Sequence, residues 1–195
     1  IPMSKESLEP KKVVEIQERK IIVPSHRFTP LRKNWMEIYS PIVEQLKLDI
    51  RIISRRRIIE MRTNQNTVRH DALQKATEFV QAFLVGFAVE DALALVRLDD
   101  LFVDSFAFED VKLIKGDHLS RAIGRVSGKG GEVKKKIETA TSTRIVIAGH
   151  RVHILGSYER IRIAKRAISE IIMGSPPGKV YARLQRLASL SSSIL

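Results

Sequence analysis

The chain has 195 residues, with 34 lysines and arginines against 22 aspartates and glutamates, a formal net charge of +12, and no cysteine. This length suits one large domain or two small ones, and the lack of cysteine excludes a disulfide framework and a thiolate zinc site. No apolar run approaches the ~18 residues of a membrane-spanning helix, so we expect no membrane partner.

The charge is unevenly distributed along the chain. Residues 1–70 have 15 basic against 8 acidic side chains, residues 71–110 have 2 against 9, and residues 111–195 have 17 against 5. A strongly cationic C-terminal half favours a polyanionic partner such as RNA. The acidic middle segment would repel RNA, which favours a protein neighbour or a basic face of the chain itself.

Residues 1–26 mix charges with two short β-like runs, at 13–16 and 21–23. We interpret this segment as a flexible arm that orders only on binding.

A first compact domain is predicted over residues 27–112. A helix opens at Thr29-Pro30, with Pro41 expected to kink it, and a basic hairpin follows around Ser54-Arg55-Arg56-Arg57. Two helices complete it, one from Asp71 and a shorter one over residues 90–97. The first glycine of the chain is Gly86, so this domain has no glycine-rich loop.

The next segment contains the most informative motif, a Gly-x-x-Gly turn formed by Gly128, Lys129, Gly130 and Gly131. Helical apolar spacing lies on both sides of it, over 119–126 and 133–140. Glycines let the backbone turn tightly and approach a ligand without a Cβ, and a following helix N-terminus favours phosphate. A Walker A loop and a dinucleotide fingerprint both require a different spacing.

Strand-like and helical runs around this turn complete a recognisable order. An alternating run at 103–111 precedes the motif, strands are predicted at 143–148 and 152–155, and a last helix carries apolar residues from 161 to 172. The order β-α-GxxG-α-β-β-α is that of a type I KH domain, which clamps about four nucleotides of single-stranded RNA.

We therefore predict an α+β fold with two KH-like (type I, βααββα) domains in tandem. The second, over 103–173, has the intact GxxG loop, and the first, over 27–112, is degenerate. The strand at 103–112 could belong to either domain. Residues 174–195 form a C-terminal GSPPGKVY segment and a helix, for which a frayed end is expected.

The predicted RNA-binding residues come from the loop and the elements beside it. The loop and the preceding helix contribute Ile123, Gly124, Arg125, Val126, Gly128, Lys129, Gly130 and Gly131. The following strand and its turn contribute Arg144, Ile145, Val146, Ile147 and Arg151. Because alternate strand side chains face the core, about half of the strand assignments should fail.

Further candidates for phosphate contact lie outside the motif. They are Lys134, Lys135, Lys179, Arg55, Arg56 and Arg57. A solvated helix face or a solvated turn is the alternative for these charges. Ser127 stands where many RNA-binding KH domains have isoleucine, which weakens the apolar platform under the bases.

Six phrases outside and inside this core carry a family resemblance. They are TPLRKNWMEIYSPIVEQL (29–46), FVQAFLVGFAVEDALALVRLDDLF (79–102), KGDHLSRAIGRVSGKGG (115–131), TRIVIAG (143–149), VHILGS (152–157) and GSPPGKVY (174–181). In this order they resemble the ribosome-assembly KH family called Partner of NOB, over about residues 26 to 182.

The resemblance implies an assembly factor on the precursor of the small (40S) ribosomal subunit. Such a factor binds the 3′ end region of pre-18S rRNA and the adjoining spacer, and assists or times cleavage by the NOB endonuclease. Other pre-40S factors of the small-subunit processome and small-subunit ribosomal proteins would be partners. The implied location is nucleolus and nucleus, with passage to the cytoplasm on the maturing particle.

Three other functions remain open at this stage. A KH protein can instead regulate splicing or translation of messenger RNA, or act as a protein-docking adaptor with a vestigial RNA groove. An enzyme is disfavoured because the five histidines lack metal-ligand spacing. The carboxylates Asp91, Asp99, Asp100 and Asp104 lie in one helix and the following turn, whereas two-metal sites usually converge from separate strand ends. We expect no catalytic residue, no metal and no cofactor.

Overall fold

The computed structural model describes residues 16–192, with the surroundings of side chains up to residue 187. In chain order the elements are β1 (Glu18–Ile22), α1 (Ser25–Lys33), α2 (Trp35–Glu44), β2 (Leu48–Ile53), β3 (Ile58–Thr63), α3 (Ala72–Val85), α4 (Val89–Arg97), β4 (Phe102–Ala107), α5 (Phe108–Val111), α6 (Asp117–Ser127), a 3₁₀ turn (Lys129–Gly131), α7 (Glu132–Thr141), β5 (Arg144–Ala148), β6 (Arg151–Gly156), α8 (Tyr158–Met173) and α9 (Pro177–Ser192).

The two halves of the chain repeat one topology. Strands β1, β2 and β3 form an antiparallel sheet in the order β1-β3-β2, and β4, β5 and β6 form a second sheet in the order β4-β6-β5. In the first half α1 and α2 lie between the first and second strands, and in the second half α5, α6 and α7 do. A long helix follows the third strand of each half. The edge position of β2 and of β5 leaves one side of each strand without a sheet partner.

Each sheet buries one face against its helices. In the first half Ile38, Ile42, Ile59 and Phe79 are fully buried, and in the second half Ile154, among others, is as well. Burying one such side chain contributes roughly 1.5–3 kcal/mol. Because each element has one buried and one exposed face, the apolar periodicity of the sequence located these elements.

Three predicted boundaries are wrong. The arm predicted for residues 1–26 contains strand β1, which pairs with β3 through Ile21 opposite Ile59, and residues 1–15 of that arm lie outside the described residues. The first helix begins at Ser25, and the helical break falls at Asn34, with Pro41 inside α2. The alternating run of 103–111 is a strand only to residue 107.

The shared strand of the two predicted domains belongs to the second sheet. In β4, Phe106 lies opposite Val152 of β6 and is buried in the second core. Phe108 then turns inward as the first residue of α5 and is fully buried, which ends the strand.

The C-terminal segment forms a helix whose first part packs on the second core. Helix α9 runs from Pro177 to Ser192, and Val180 and Leu184 are buried in the second core. Residues 193–195 lie outside the described residues. Among the residues described, no helix combines the length and the apolarity that crossing a bilayer requires.

The first half packs against the second sheet on the face that does not carry helices α6 to α8. Leu155 of β6 is buried in the first core, and Val103 and Val146 pack against that core. A Cβ added at Gly86 would lie 3.0 Å from Cγ1 of Val146, which shows how closely the two halves approach. The second sheet is therefore covered on both faces.

Candidate nucleic-acid interface

The Gly-x-x-Gly turn requires glycine for two separate reasons. Gly128, Gly130 and Gly131 have φ angles of 73°, 61° and 78°, a region that side chains with a Cβ seldom occupy. At Gly128 a Cβ would also lie 2.4 Å from Cγ2 of Val133, so packing forbids a side chain there. The turn is thus fixed by both backbone conformation and packing.

The outer part of the loop is open for a ligand. A Cβ at Gly130 or Gly131 would meet no atom within 4 Å, and Lys129 between the first two glycines is exposed. Helix α7 begins directly after the loop, and a helix N-terminus attracts anions. The arrangement suits a phosphodiester lying across the loop.

Helix α6 supplies one wall beside the loop. Gly124 and Arg125 are exposed and Ile123 is half-buried, so these three predicted residues are accessible. Val126 is fully buried in the second core, and the prediction that its side chain lines the groove is wrong. Its spacing from Leu119 and Ala122 places it on the inner face of the helix.

Strand β5 supplies the opposite wall as the edge strand of its sheet. Ile145 is 1% exposed and Ile147 is half-buried, both on the face that packs on the helices. Val146 points to the other face and packs against the first half, so its side chain does not line the groove. The side chain of Ile145 is likewise inaccessible, which leaves only its backbone.

The backbone edge of β5 carries one group that the sequence reasoning missed, Glu138. The Ile145 amide donates a hydrogen bond of 2.7 Å to Oε1 of Glu138 on α7. Lys134, one turn earlier, lies 3.9 Å from the same oxygen. The Lys134–Glu138 pair can be predicted from the sequence as an i,i+4 pair. The contact of Glu138 with the Ile145 amide is seen only in the folded structure.

The predicted contact of Arg144 is also changed by the structure. Its Nε donates to Oδ1 of Asp91 on α4 over 2.9 Å, and this carboxylate raises the pKa of Arg144. Arg144 therefore ties β5 to the first half and does not flank the groove freely. Arg151, at the other end of the β5–β6 hairpin, is exposed.

Several cations around the loop have no acidic partner. Within the described part of the chain, no carboxylate lies within ion-pair distance of Arg125, Lys129 or Lys135. Lys136 is positioned otherwise, with its ammonium 5.3 Å from the ring centroid of Tyr181 on α9. Burial and the nearby Glu132 raise the pKa of Tyr181.

The more distant phosphate candidates lie on other elements. Lys179 is exposed on α9, and Arg55 and Arg56 are exposed at the tip of the β2–β3 hairpin. Arg57 donates a hydrogen bond to Ser25 Oγ at the start of α1, so it is engaged within the first half. The three arginines thus lie on the first half, and Lys179 lies on α9, which packs against α7.

Three of the four carboxylates considered for a two-metal site are engaged by different cations, and one of these, Asp91, is paired with Arg144. Asp99 pairs with Lys75 and Arg69, and Asp104 pairs with Lys165 over 2.8 Å. Over residues 16–192, no three histidine or acidic side chains form a group that could hold a metal ion.

His153 is a packed residue and not part of the groove. It is 8% exposed, and its Nδ1 lies 2.6 Å from Ser105 Oγ. Burial lowers its pKa, with a smaller contribution from Arg151.

The first half lacks the equivalent of the loop. Where the glycine turn joins α6 to α7, a single residue, Asn34, joins α1 to α2, with a φ of −100°. Its side-chain amide donates to the Pro30 carbonyl over 3.1 Å. The prediction from the position of Gly86 that this half has no phosphate clamp agrees with this junction.

Comparison with known proteins identifies the second half and then the whole chain. Residues 105–189 match the family model of the second KH domain of PNO1, a eukaryotic-type KH domain of type I. The chain is 57% identical over 175 residues to the RNA-binding protein pno1 of Dictyostelium discoideum, covering 90% of this chain and 73% of that protein. It is 53% identical over 176 residues to the pre-rRNA-processing protein PNO1 of Debaryomyces hansenii, covering 90% and 69%.

A solved structure shows a similar arrangement of both halves. A chain in the crystal structure of the a/eIF2alpha–aDim2p–rRNA complex from Pyrococcus horikoshii OT3 has a TM-score of 0.78 at 26% identity. The match covers 93% of this chain and 99% of that chain. The predicted KH domain is thus confirmed, and the chain belongs to the PNO1 family of KH-domain proteins.

Proposed function

We propose that this protein binds single-stranded RNA in the groove between α6, the glycine loop, α7 and β5, and acts in maturation of small-subunit ribosomal RNA. The observation that carries the proposal is the glycine loop itself. Its open outer face at Gly130 and Gly131, the N-terminus of α7 and Lys129, which pairs with no carboxylate of the described residues, lie at one position. Backbone amides and an ammonium at one position suit a phosphate.

The specific target is the 3′ end region of pre-18S rRNA with the adjoining spacer, on the precursor of the 40S subunit. The protein assists or times endonucleolytic cleavage by NOB and is not itself the nuclease. Relatives named for pre-rRNA processing support this role, as does a structural neighbour solved in a complex with rRNA. Its partners are NOB, other pre-40S assembly factors and small-subunit ribosomal proteins, in the nucleolus and nucleus and then on cytoplasmic particles.

The first half acts as a KH-type unit without a phosphate clamp. Its strand order and helix placement repeat those of the second half, and Asn34 stands at the position of the loop. Its role is to support the second sheet from behind, through the contacts of Val146, Leu155 and Arg144.

In-cell crosslinking of the protein to RNA, followed by sequencing of the attached fragments, tests the proposal. We expect a sharp peak at the 3′ end of small-subunit rRNA and the adjoining spacer. Reads spread over messenger RNAs would replace the proposal with a splicing or translation regulator.

A protein-docking adaptor is the second candidate because of one surface of the acidic segment. Leu98 and Phe102 are 54% and 52% exposed there, beside the carboxylates of Asp99 and Asp100. Exposed apolar side chains in an acidic segment suit a basic protein partner. A crosslinking library without RNA fragments, together with co-purifying proteins, would favour this function over the first.

A further inference from the structure

The carboxylate of Glu138 lies at the open edge of β5, the strand edge that borders the proposed RNA groove. Ile145 and Ile147 direct their N–H and C=O groups away from β6, because alternate residues of an antiparallel edge strand face the same side. The Ile145 amide reaches Oε1 of Glu138 at 2.7 Å, which confirms that direction. The Ile145 amide is therefore already engaged by Oε1 and is not available to a base.

The second oxygen of the same carboxylate remains available. No hydrogen bond to Oε2 is formed by residues 16–187, and this oxygen is not among the buried atoms that lack a partner. It is therefore in contact with solvent, although the side chain as a whole is only 13% exposed. The Ile145 amide and Lys134 both approach Oε1, at 2.7 and 3.9 Å, and hold the carboxylate in this orientation.

At Oε2 the edge that a base meets consequently offers mainly acceptors, since the ammonium of Lys134 lies beside the other oxygen, Oε1, at 3.9 Å. Oε2 of Glu138 and the carbonyl oxygens of Ile145 and Ile147 accept, and the Ile147 amide is the remaining strand donor. A base satisfies this edge by offering N–H groups and is penalised when it offers carbonyl oxygens. Adenine, cytosine and guanine each carry an exocyclic amine, whereas uracil presents a single N–H between two carbonyl oxygens.

We infer that Glu138 selects against uridine at the nucleotide that faces it, as a specificity-determining residue of the groove. This inference rests on the proposed RNA-binding function. Glu138→Gln is the decisive change because glutamine keeps the shape and keeps an oxygen for the Ile145 amide. It replaces the open acceptor by an NH₂ donor, which pairs with a uracil carbonyl.

The test measures binding of the full chain to short single-stranded oligoadenosine, oligocytidine and oligouridine by fluorescence anisotropy at one fixed salt concentration. We expect the unaltered protein to bind oligouridine at least about fivefold more weakly than oligocytidine. In Glu138→Gln this ratio should fall to about one, while thermal unfolding shows an intact fold. The matched control is Glu132→Gln, which removes the same charge from the same helix beside the loop and should strengthen binding to all three RNAs in similar proportion.

An equal change for all three RNAs in Glu138→Gln, as in the control, would overturn the inference and leave the proposed function standing. Absence of binding by the unaltered protein to every RNA would overturn the proposed function and the inference with it. A second measurement needs no variant: RNAs selected by the unaltered protein from a randomised pool should lack uridine at one position of the bound segment. Uridine at its input frequency at every bound position would contradict the inference.

Discussion

Arg144 of β5 and Asp91 of α4 form an ion pair between the two halves of the molecule, with Nε and Oδ1 2.9 Å apart. The pair connects β5, a strand of the proposed RNA groove, to the half that has no glycine loop. Both side chains are partly exposed, at 56% and 30%, so its contribution to stability is below about 1 kcal/mol. Its importance is that it removes Arg144 from the cations free to meet phosphate.

Arg125→Ala and Arg144→Ala should therefore differ in their effect on RNA binding. For Arg125, which has no acidic partner among the described residues, the slope of log K against log salt should become shallower by about 0.7, the value for one phosphate on a single strand. Arg144→Ala should leave that slope unchanged and lower the melting temperature slightly. The measurement is RNA affinity over a salt series, and an equal loss of slope in both variants would show that Arg144 leaves Asp91 to bind RNA.

The double change Lys129→Asp with Gly130→Asp tests the phosphate clamp. The new carboxylates would lie on the open outer face of the loop, where a Cβ at Gly130 meets no atom, and they would repel phosphate. We expect RNA affinity to fall more than about tenfold. Circular dichroism should be unchanged, because aspartate tolerates the left-handed φ of 61° at Gly130 better than most residues with a Cβ. Arg160→Asp with Arg162→Asp on α8 is the control, since it lowers the net charge by at least as much away from the loop. A similar loss in the control would attribute the effect to overall charge alone.

Two glycine substitutions should separate folding from binding. Gly128→Ala places a Cβ against Val133 at a positive φ, so the free energy of unfolding should fall by about 1–3 kcal/mol. Gly124→Ala lies in a helix with open space at its Cβ, so stability should rise by about 0.5–1 kcal/mol while RNA affinity falls. Urea denaturation and RNA titration of both variants check this pair. Reduced stability in Gly124→Ala would show that the α6 wall is packed and not open.

The first half should lose stability in acid through Glu60. Its hydrogen bond from Arg51, with support from Lys20, holds the pKa of Glu60 at about 2, below its ordinary value of 4.5. Between these two pH values the unfolded chain binds more protons at this site than the folded one, so stability decreases as pH falls through this range. At pH values above 4.5 this contribution is fully present.

Urea midpoints measured between pH 2 and pH 5 test the Glu60 prediction. Glu60→Gln should flatten the decline over this window, whereas Glu37→Gln, on an exposed position of α2, should retain it. An identical decline in all three proteins would mean that other carboxylates account for the acid sensitivity.

The sequence by itself determined the second domain, its loop and the residues that require glycine. Local rules were sufficient there, because they depend on a few neighbouring residues. These rules are the helical spacing over residues 119–140 and the need for glycine at the positive φ angles of Gly128 and Gly131. The position of Gly86 likewise excluded a glycine clamp in the first half. The chain ends and strand boundaries were harder to predict from the sequence, because β1 is stabilised by its pairing with β3 and not by its own composition.

Only the tertiary structure decided which side chains of β5 are available to RNA. Period-two alternation predicts that half of them face away, but not that Val146 meets Gly86 and that Arg144 meets Asp91, residues more than fifty positions earlier. The contact of Glu138 with the Ile145 amide also depends on how α7 lies along the strand edge. Such contacts arise from packing between elements distant in sequence, and packing is what no local pattern of residues contains.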